Sequence, residues 1–184
     1  MTNRIGIFGG TFDPPHIGHV LAAQYAISMA KLDWLVVIPC RGHRNSKGST
    51  MSPYSKRVEM AHAAFRVLAS MSTVSTLEEE IQSKYTIETV ERLRKHYHDD
   101  TEFVLIVGAD NAEHMECWHR WEDLKDMVTL FPIGRDGQCD PEKYPVRMPE
   151  VSSTQVRQAI EDNDWALVES VVPPGVLAIL KTEG

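Results

Sequence analysis

The residues whose types and spacing could do chemistry lie near the N-terminus, in the segment GGTFDPPHIGH at residues 9–19. Its glycine pair, Gly9 and Gly10, follows an apolar run, and glycine lets a backbone approach phosphate oxygens closely. Two histidines, His16 and His19, are three residues apart and can lie on the same side of a first helical turn. Both could then donate hydrogen bonds to a triphosphate as negative charge builds up during transfer. The segment therefore predicts phosphoryl-type chemistry.

Each of these features also has an ordinary structural explanation. A glycine pair after a first strand is often only a tight turn, a lone histidine is usually a surface or core residue, and Asp13-Pro14 could be a turn as well. The combination favours function, because a helix that follows the segment offers free N–H groups and a positive dipole end to an anion.

A second candidate segment, VSSTQVR at residues 151–157, lies near the end of the sequence. Ser152 or Ser153 is expected to cap a helix whose first N–H groups could hold a phosphate. Arg157 follows one turn along and could reach the same anion. Many helices begin with a Ser-Ser-Thr cap, so this segment indicates phosphate binding only in combination with the N-terminal segment.

Strand-like and helix-like runs alternate along the chain, which predicts an α/β fold: a doubly wound parallel sheet with helices on both faces, in a single domain over residues 1–184. The predicted strands cover residues 4–8, 34–38, 73–76, 102–107 and 128–131. The predicted helices cover residues 17–31, 53–69, 86–97, 152–163 and 173–180. In such folds ligands lie beyond the carboxyl ends of the strands. That rule brings four segments to one rim: residues 9–19, the loop from residue 40, residues 108–110 and the Ser152 cap.

Composition excludes several classes of protein. The net charge of −7 argues against nucleic acid or anionic lipid as a partner, and no apolar run reaches the ~20 residues that would cross a membrane. The three cysteines are widely spaced and suggest neither a disulfide framework nor a metal site. The N-terminus lacks the apolar stretch of a signal peptide. We therefore expect a reduced, cytoplasmic protein without a protein-bound metal, and assembly into a homo-oligomer is left open.

Together the two segments resemble the HIGH-motif nucleotidyltransferase superfamily. GGTFDPPHIGH is similar to the motif G-x-F-D-P-x-H-x-G-H, and VSSTQVR is similar to I-S-S-T-x-I-R. The resemblance implies a Rossmann-like fold and transfer of a nucleotidyl group. It also implies catalytic roles for His16, His19 and Arg157, and ATP or phosphate binding by Gly9, Gly10, Thr11, Phe12, Ser152, Ser153 and Thr154.

Within the superfamily the chain most resembles the nicotinate-mononucleotide adenylyltransferase family, over residues 5–180. His16 favours that family over the pantetheine-phosphate adenylyltransferases, which usually carry threonine at this position. KYTIETVERLR at residues 84–94 is similar to the family's Y-T-x-x-T-L helix start, and residues 103–124 share its G-x-D and W-x-x-W pattern. The resemblance implies adenylyl transfer from ATP, with Mg²⁺ on its phosphates, to nicotinate mononucleotide in NAD biosynthesis.

The same resemblance implies an acceptor site. Its expected members are Thr86, Gly108, Asp110, Trp118 and His43. Trp118 is a candidate platform for the flat pyridine ring, and Asp110 could accept hydrogen bonds from a ribose hydroxyl. The alternatives are that Trp118 only packs a helix and that Asp110 is an N-cap. For Trp121 we expect packing alone.

The loop after the second predicted strand departs from the family pattern. The family often shows P-P-H-[KR], whereas both prolines before the basic pair His43-Arg44 are replaced here, one of them by Arg41. Arg44 is expected to bind the triphosphate. Arg41 and Lys47 could do the same, and the alternative is a solvated basic loop.

Two other functions remain open. One is adenylyl transfer to a different phosphorylated acceptor, such as nicotinamide mononucleotide or phosphopantetheine, because the acid and amide acceptors differ only in one small group. The other is a nucleotide-binding sensor that keeps the fold without turnover. A sensor predicts ATP binding without release of pyrophosphate.

Overall fold

The computed structural model describes residues 3–42, 52–83, 85–137, 139–140, 142–144 and 146–182. The strands in these ranges are β1 (Arg4–Gly10), β2 (Trp34–Pro39), β3 (Ser72–Val74), β4 (Glu102–Gly108), β5 (Thr129–Arg135) and β6 (Arg147–Met148). They form one sheet in the order β3-β2-β1-β4-β5-β6. Every neighbouring pair is parallel, as the alternation of strand-like and helix-like runs predicts.

Helices connect the strands. The α-helices of the described ranges are α1 (Ile17–Met29), α2 (Tyr54–Phe65), α3 (Leu77–Glu80), α4 (Thr86–Arg94), α5 (Ala109–Ala112), α6 (Trp121–Lys125), α7 (Ser153–Glu161), α8 (Trp165–Val171) and α9 (Pro174–Lys181). Short 3-10 turns cover Arg66–Leu68 and Met115–Cys117. No helix in this part of the chain is long and apolar enough to cross a membrane.

The sheet is covered on both faces, as predicted. Residues of each central strand alternate between two hydrophobic clusters: in β2, Leu35 and Val37 belong to one and Val36 and Ile38 to the other. The first cluster includes residues of α1, α2, α7, α8 and α9, and the second includes residues of α3, α4 and α6. Burial on both faces explains why the central strands are nearly continuous apolar runs.

The helical spacing of apolar residues is confirmed in α1. Val20, Ala23, Ile27 and Ala30 are all buried, and they face the sheet because residues three and four apart share one side of a helix. α1 ends at Met29, two residues before the predicted end.

The predicted strand ends are wrong in a way that matters for the site. β1 includes Gly9 and Gly10, which pair with Ile38 and Pro39 of β2, so the glycine pair is strand and not a tight turn. β5 runs to Arg135, four residues beyond its predicted end. Parallel pairing with a neighbouring strand extends both elements, and that pairing has no local signal in the sequence. α3, α5, α6, α8 and β6 were not predicted either; apart from α8 they have five residues or fewer.

The strand order reverses between β1 and β4. The chain builds the sheet outward from β1 to β3 and then returns to the other side of β1 with β4. Connections on the two sides of such a reversal diverge, so a crevice opens at the carboxyl ends of the two strands. The fold therefore places a ligand site beside Gly10 and Gly108.

Candidate active site

A cavity of about 990 Å³ lies at these strand ends. It receives residues from β1, from the start of α1, from the β4–α5 junction and from the start of α7, so the predicted convergence of segments is confirmed. The predicted site residues that line it are Gly9, Gly10, Thr11, Phe12, His16, His19, Thr86, Gly108, Asp110, Trp118, Ser153, Thr154 and Arg157.

Among the described residues, one predicted phosphate-binding residue, Ser152, is not part of this lining. The Ser152 side chain caps α7 by accepting a hydrogen bond from the Gln155 N–H, and Ser152 is absent from the cavity wall. A cap contact turns the hydroxyl toward its own helix, and phosphate binding by Ser152 stays a prediction. His43 and Arg44 lie outside the described residues.

The Phe12 side chain is buried in an aromatic cluster next to the cavity. It is 1% exposed and makes edge-to-face contacts with Phe8, Phe65 and His19, at ring-centroid distances of 5.7, 5.4 and 5.2 Å. A phenyl ring has no hydrogen-bond donor for a phosphate, so the predicted ATP contact of Phe12 would come from its backbone. The ring also lies 2.8 Å from the place where a Cβ at Gly10 would stand, so only glycine fits at position 10.

Gly9 lines the cavity and has no side chain to fill it. A Cβ at this position would meet no protein atom within 4 Å, although the residue is inside a central strand. The absence of a side chain therefore leaves space in the cavity beside the strand backbone, and a ligand phosphate can approach it closely.

The two histidines meet at the start of α1. Their ring centroids are 3.8 Å apart, and the backbone N–H of His16 donates to Nδ1 of His19 over 3.2 Å. Because Nδ1 of His19 accepts a hydrogen bond, the neutral ring carries its proton on Nε2. Nδ1 of His16 is buried without a hydrogen-bond partner in the described part of the chain. The pair thus offers a ring N–H donor on His19 and an unsatisfied ring nitrogen on His16.

Both imidazoles are neutral in the free protein near neutral pH. Burial, with a smaller contribution from the charge of Arg135, lowers the pKa of His16 to about 4. Burial also lowers the pKa of His19 well below its usual range, with smaller contributions from His16 and Arg135. A neutral imidazole still donates one hydrogen bond, and an arriving polyphosphate would favour its protonated form.

The start of α7 is joined to the loop before α1. The Ser153 hydroxyl donates to the Pro14 carbonyl over 2.8 Å, and Nη1 of Arg157 donates to the Asp13 carbonyl. Nη2 of Arg157 donates to the Thr154 hydroxyl over 3.2 Å. The two sequence segments that carry the motif resemblance are therefore in direct contact, with the guanidinium at the cavity wall.

The far end of the cavity is aromatic. Trp118 is half-buried and lines the cavity beside Tyr85 and His119, whose rings stack at a centroid distance of 4.2 Å. Asp110 is exposed in the first turn of α5, where Gly108 is the N-cap, so Asp110 is not itself an N-cap. Trp121 packs against the second hydrophobic cluster, as expected.

Carboxylates near the phosphate end already have partners. Asp13 accepts from the Ser52 N–H over 3.2 Å, and Glu78 accepts from the Arg41 N–H over 2.9 Å. Within the described ranges, no three His, Cys, Asp or Glu side chains cluster closely enough to hold a metal ion.

Comparison with known proteins gives the site its context. Residues 7–159 match the cytidylyltransferase-like family. A probable nicotinate-nucleotide adenylyltransferase of Exiguobacterium sibiricum is 39% identical in an alignment of 165 positions that covers 85% of this chain and 86% of that protein. Another, from Geobacillus thermodenitrificans, is 33% identical in a gapped alignment of 188 positions that covers 98% of this chain and 85% of that protein.

The chain belongs to the nicotinate-nucleotide adenylyltransferase family.

The fold of the family is shared by more distant solved structures. Nicotinic acid mononucleotide adenylyltransferase of Plasmodium falciparum, solved in complex with NaAD, superposes with a TM-score of 0.79 at 18% identity. The match covers 98% of this chain and 96% of that one. The Rossmann-like architecture is therefore that of the family.

Sequence reasoning missed several cavity residues of this family member. Arg135, Glu78, Tyr85 and Thr89 all line the cavity. For Arg135 a signal existed: had the fifth strand been extended to its true end, the carboxyl-end rule would have placed this residue on the rim. Glu78 had no such signal, because a carboxylate in a run of three glutamates reads as solvent-exposed.

Acid is expected to destabilise this member of the family between about pH 6.5 and pH 4. Histidines in the unfolded chain take up protons near pH 6.5, whereas His16 in the folded protein does so only near pH 4. The unfolded state thus binds more protons, and unfolding becomes easier as pH falls, by up to about 1.4 kcal/mol per pH unit for one histidine. Urea unfolding at several pH values measures this, and His16→Gln should flatten the dependence. An unchanged slope in that variant would contradict the lowered pKa of His16.

Proposed function

We propose that the protein transfers the adenylyl group of ATP to nicotinate mononucleotide, giving nicotinate adenine dinucleotide and pyrophosphate in NAD biosynthesis. The observation that carries this proposal is the meeting of the His16–His19 pair with Ser153 and Arg157 in one cavity, in a chain of this family. Three groups that can bind an anion, His16, His19 and Arg157, lie at one end and an aromatic wall lies at the other, which fits two nucleotides placed head to head.

The reaction is an in-line displacement at the α-phosphorus of ATP. An oxygen of the acceptor's 5′-phosphate forms the new P–O bond, and the bond between the α-phosphorus and the bridging oxygen breaks, so pyrophosphate leaves with the bonding electrons. The acceptor phosphate is already ionised near neutral pH, so no general base is needed. Catalysis then depends on positioning and on stabilisation of charge.

Three groups stabilise that charge. The Nε2–H of His19 donates to the phosphate oxygens as charge moves onto the bridging oxygen, and His16 contributes from the adjacent position. Arg157 adds a permanent positive charge from α7. The free N–H groups at the starts of α1 and α7 hold the remaining oxygens, since a helix N-terminus attracts anions. Mg²⁺ enters on ATP and partly neutralises its phosphates.

The acceptor lies at the aromatic end of the cavity. The pyridine ring stacks on Trp118, Thr86 contacts the ring end from the start of α4, and Asp110 accepts from a ribose hydroxyl. Gly108 leaves room for this arrangement, because a Cβ there would lie 2.5 Å from Oδ1 of Asp110.

Replacing Trp118 by alanine is expected to raise KM for nicotinate mononucleotide by about 5- to 150-fold, since stacking of an aromatic base on a side chain contributes ~1–3 kcal/mol. KM for ATP should change little. Steady-state kinetics with each substrate varied in turn measures both constants, and Trp118→Phe, which keeps an aromatic face, should lie between the variant and the wild type. An effect confined to KM for ATP would mean that the pyridine ring does not stack on Trp118.

Pyrophosphate release tests the function itself. Purified protein is given ATP and magnesium with nicotinate mononucleotide, nicotinamide mononucleotide or phosphopantetheine, each in a separate reaction. We expect a clear preference for the nicotinate acceptor. Preference for another acceptor would keep the chemistry and refute the substrate, and ATP binding without release from any of them would indicate a sensor.

A further inference from the structure

A buried arginine outside the predicted site donates hydrogen bonds to three main-chain carbonyls beside the cavity. Arg57, on α2, is 1% exposed. Its Nη1 donates to the carbonyl oxygens of Thr11 and Cys40, both over 2.8 Å, and its Nε donates to the Ser52 carbonyl over 3.2 Å. These carbonyls belong to the loop after β1, the end of β2 and the residues before α2. One guanidinium therefore fixes three segments that are far apart in sequence.

The peptide unit between Cys40 and Arg41 is held from both sides by opposite charges. Arg57 binds its carbonyl, and the carboxylate of Glu78 accepts its N–H over 2.9 Å. The C=O and N–H of a trans peptide point in opposite directions, so the two charged groups fix the rotation of this peptide plane. Both are buried, and the charge of Arg57 counteracts the rise in the pKa of Glu78 that burial causes.

Ser52 is held in the same manner. Its carbonyl accepts from Arg57, and its N–H donates to Oδ2 of Asp13 over 3.2 Å. Asp13 is 2% exposed, and its own carbonyl accepts from Arg157. A continuous chain of hydrogen bonds thus runs from Arg57 through Ser52 and Asp13 to Arg157 at the cavity wall.

The position of this network favours a role in the reaction over simple packing. A buried, isolated arginine is expensive to desolvate, and an apolar residue of similar volume is often as stabilising. Arg57 instead makes contacts with backbone that surrounds the ligand, since Thr11, Cys40 and Glu78 all line the cavity. Its bond to the Thr11 carbonyl also turns the Phe12 N–H the opposite way, because that peptide is trans.

We propose that Arg57 is a positioning residue for adenylyl transfer. Its guanidinium, with Glu78 as counter-charge, holds the backbone of Thr11 and of the Cys40–Arg41 peptide in the orientation that receives the ATP phosphates. The inference rests on the proposed function. Because the network contacts Thr11 and, through Ser52 and Asp13, reaches Arg157, its loss weakens ATP binding and the transfer step more than acceptor binding.

The test compares Arg57→Lys and Arg57→Met with the same changes at Arg66, an exposed arginine close by in sequence. Calorimetric affinities for ATP with Mg²⁺ and for nicotinate mononucleotide, each measured alone, need no turnover; kcat and urea unfolding complete the set. Arg57→Met is expected to lose about 10- to 100-fold in ATP affinity and kcat, with less than about twofold change for the acceptor. Arg57→Lys keeps the charge without the planar fork and should be intermediate. Added guanidinium at non-denaturing concentration should partly restore Arg57→Met.

Two results would overturn the proposal. One is a folded Arg57→Lys protein with wild-type ATP affinity and kcat, and this decides the matter even if Arg57→Met does not fold. The other is an Arg57→Met protein that loses affinity for ATP and for nicotinate mononucleotide equally, in parallel with its free energy of unfolding. That result would mean that the substitution destabilises the whole fold and does not act on the phosphate end. If the wild type binds ATP but releases no pyrophosphate, the proposed function fails, while the ATP affinities still decide whether Arg57 positions the phosphate end.

Discussion

Replacing His19 by alanine is expected to lower kcat by about 10²–10³-fold, the effect of removing one donor that stabilises charge in a transition state. The Nε2–H of this ring is its free donor, since Nδ1 already accepts the His16 N–H. Stability should fall by only about 1 kcal/mol, because His19 lies at the edge of the cavity and is partly exposed to solvent there. The measurements are steady-state kcat and the free energy of unfolding in urea.

Two amides make a matched pair at this position. His19→Gln can present an N–H near the place of Nε2, whereas His19→Asn can reproduce only the acceptor near the place of Nδ1. We expect the glutamine variant to keep more activity than the asparagine variant, with similar stability in both. Near-normal turnover in His19→Ala would remove this histidine from the mechanism, and equal loss in the two amides would mean that the Nε2 donor is not what matters.

Replacing Arg157 by methionine is expected to lower kcat/KM by about 10²–10³-fold, because a fixed positive charge directed at the phosphates disappears. The guanidinium is held by the Asp13 carbonyl and the Thr154 hydroxyl, so it is oriented before the substrate arrives and needs little rearrangement. Methionine keeps most of the aliphatic stem and removes the donors. Kinetics with ATP as the varied substrate should show the loss in both kcat and KM.

Ser153→Ala separates the loss of charge from the loss of a contact. The Ser153 hydroxyl joins α7 to the Pro14 carbonyl, close to the bond that Arg157 makes, but it carries no charge. Its removal should lower kcat/KM by less than about tenfold, the effect of one neutral hydrogen bond of ~1 kcal/mol. A loss as large as that of Arg157→Met would assign the effect to the docking of α7 and not to the charge.

Local sequence signals predict the central elements well. The apolar run at residues 34–38 predicts β2 to within one residue, because a strand buried on both faces has to be apolar throughout. Ser152 as the α7 cap and Pro53 before α2 follow from the chemistry of single helix starts. These predictions depend on interactions within a few residues, which a sequence displays directly.

Elements and contacts that depend on distant residues were not predictable. The strand character of Gly9 and Gly10 comes from pairing with β2, and glycine itself weakly disfavours strands. The burial of Arg57 and Glu78 results from backbone groups that are brought close only by the sheet. The Phe12 ring is buried partly by its contact with Phe65, which is more than fifty residues away in the sequence.

The sequence by itself displays the groups on which the proposed chemistry depends: two histidines at helical spacing after a glycine pair, and a capped helix with Arg157, are local patterns of neighbouring residues. It also determined the layered α/β architecture, since periodicity is a local property. Only the tertiary structure decided which polar groups face the ligand. A side chain's direction and protonation depend on its burial and on partners from other segments, and for His16, His19 and Arg57 those partners come together only when the sheet has formed.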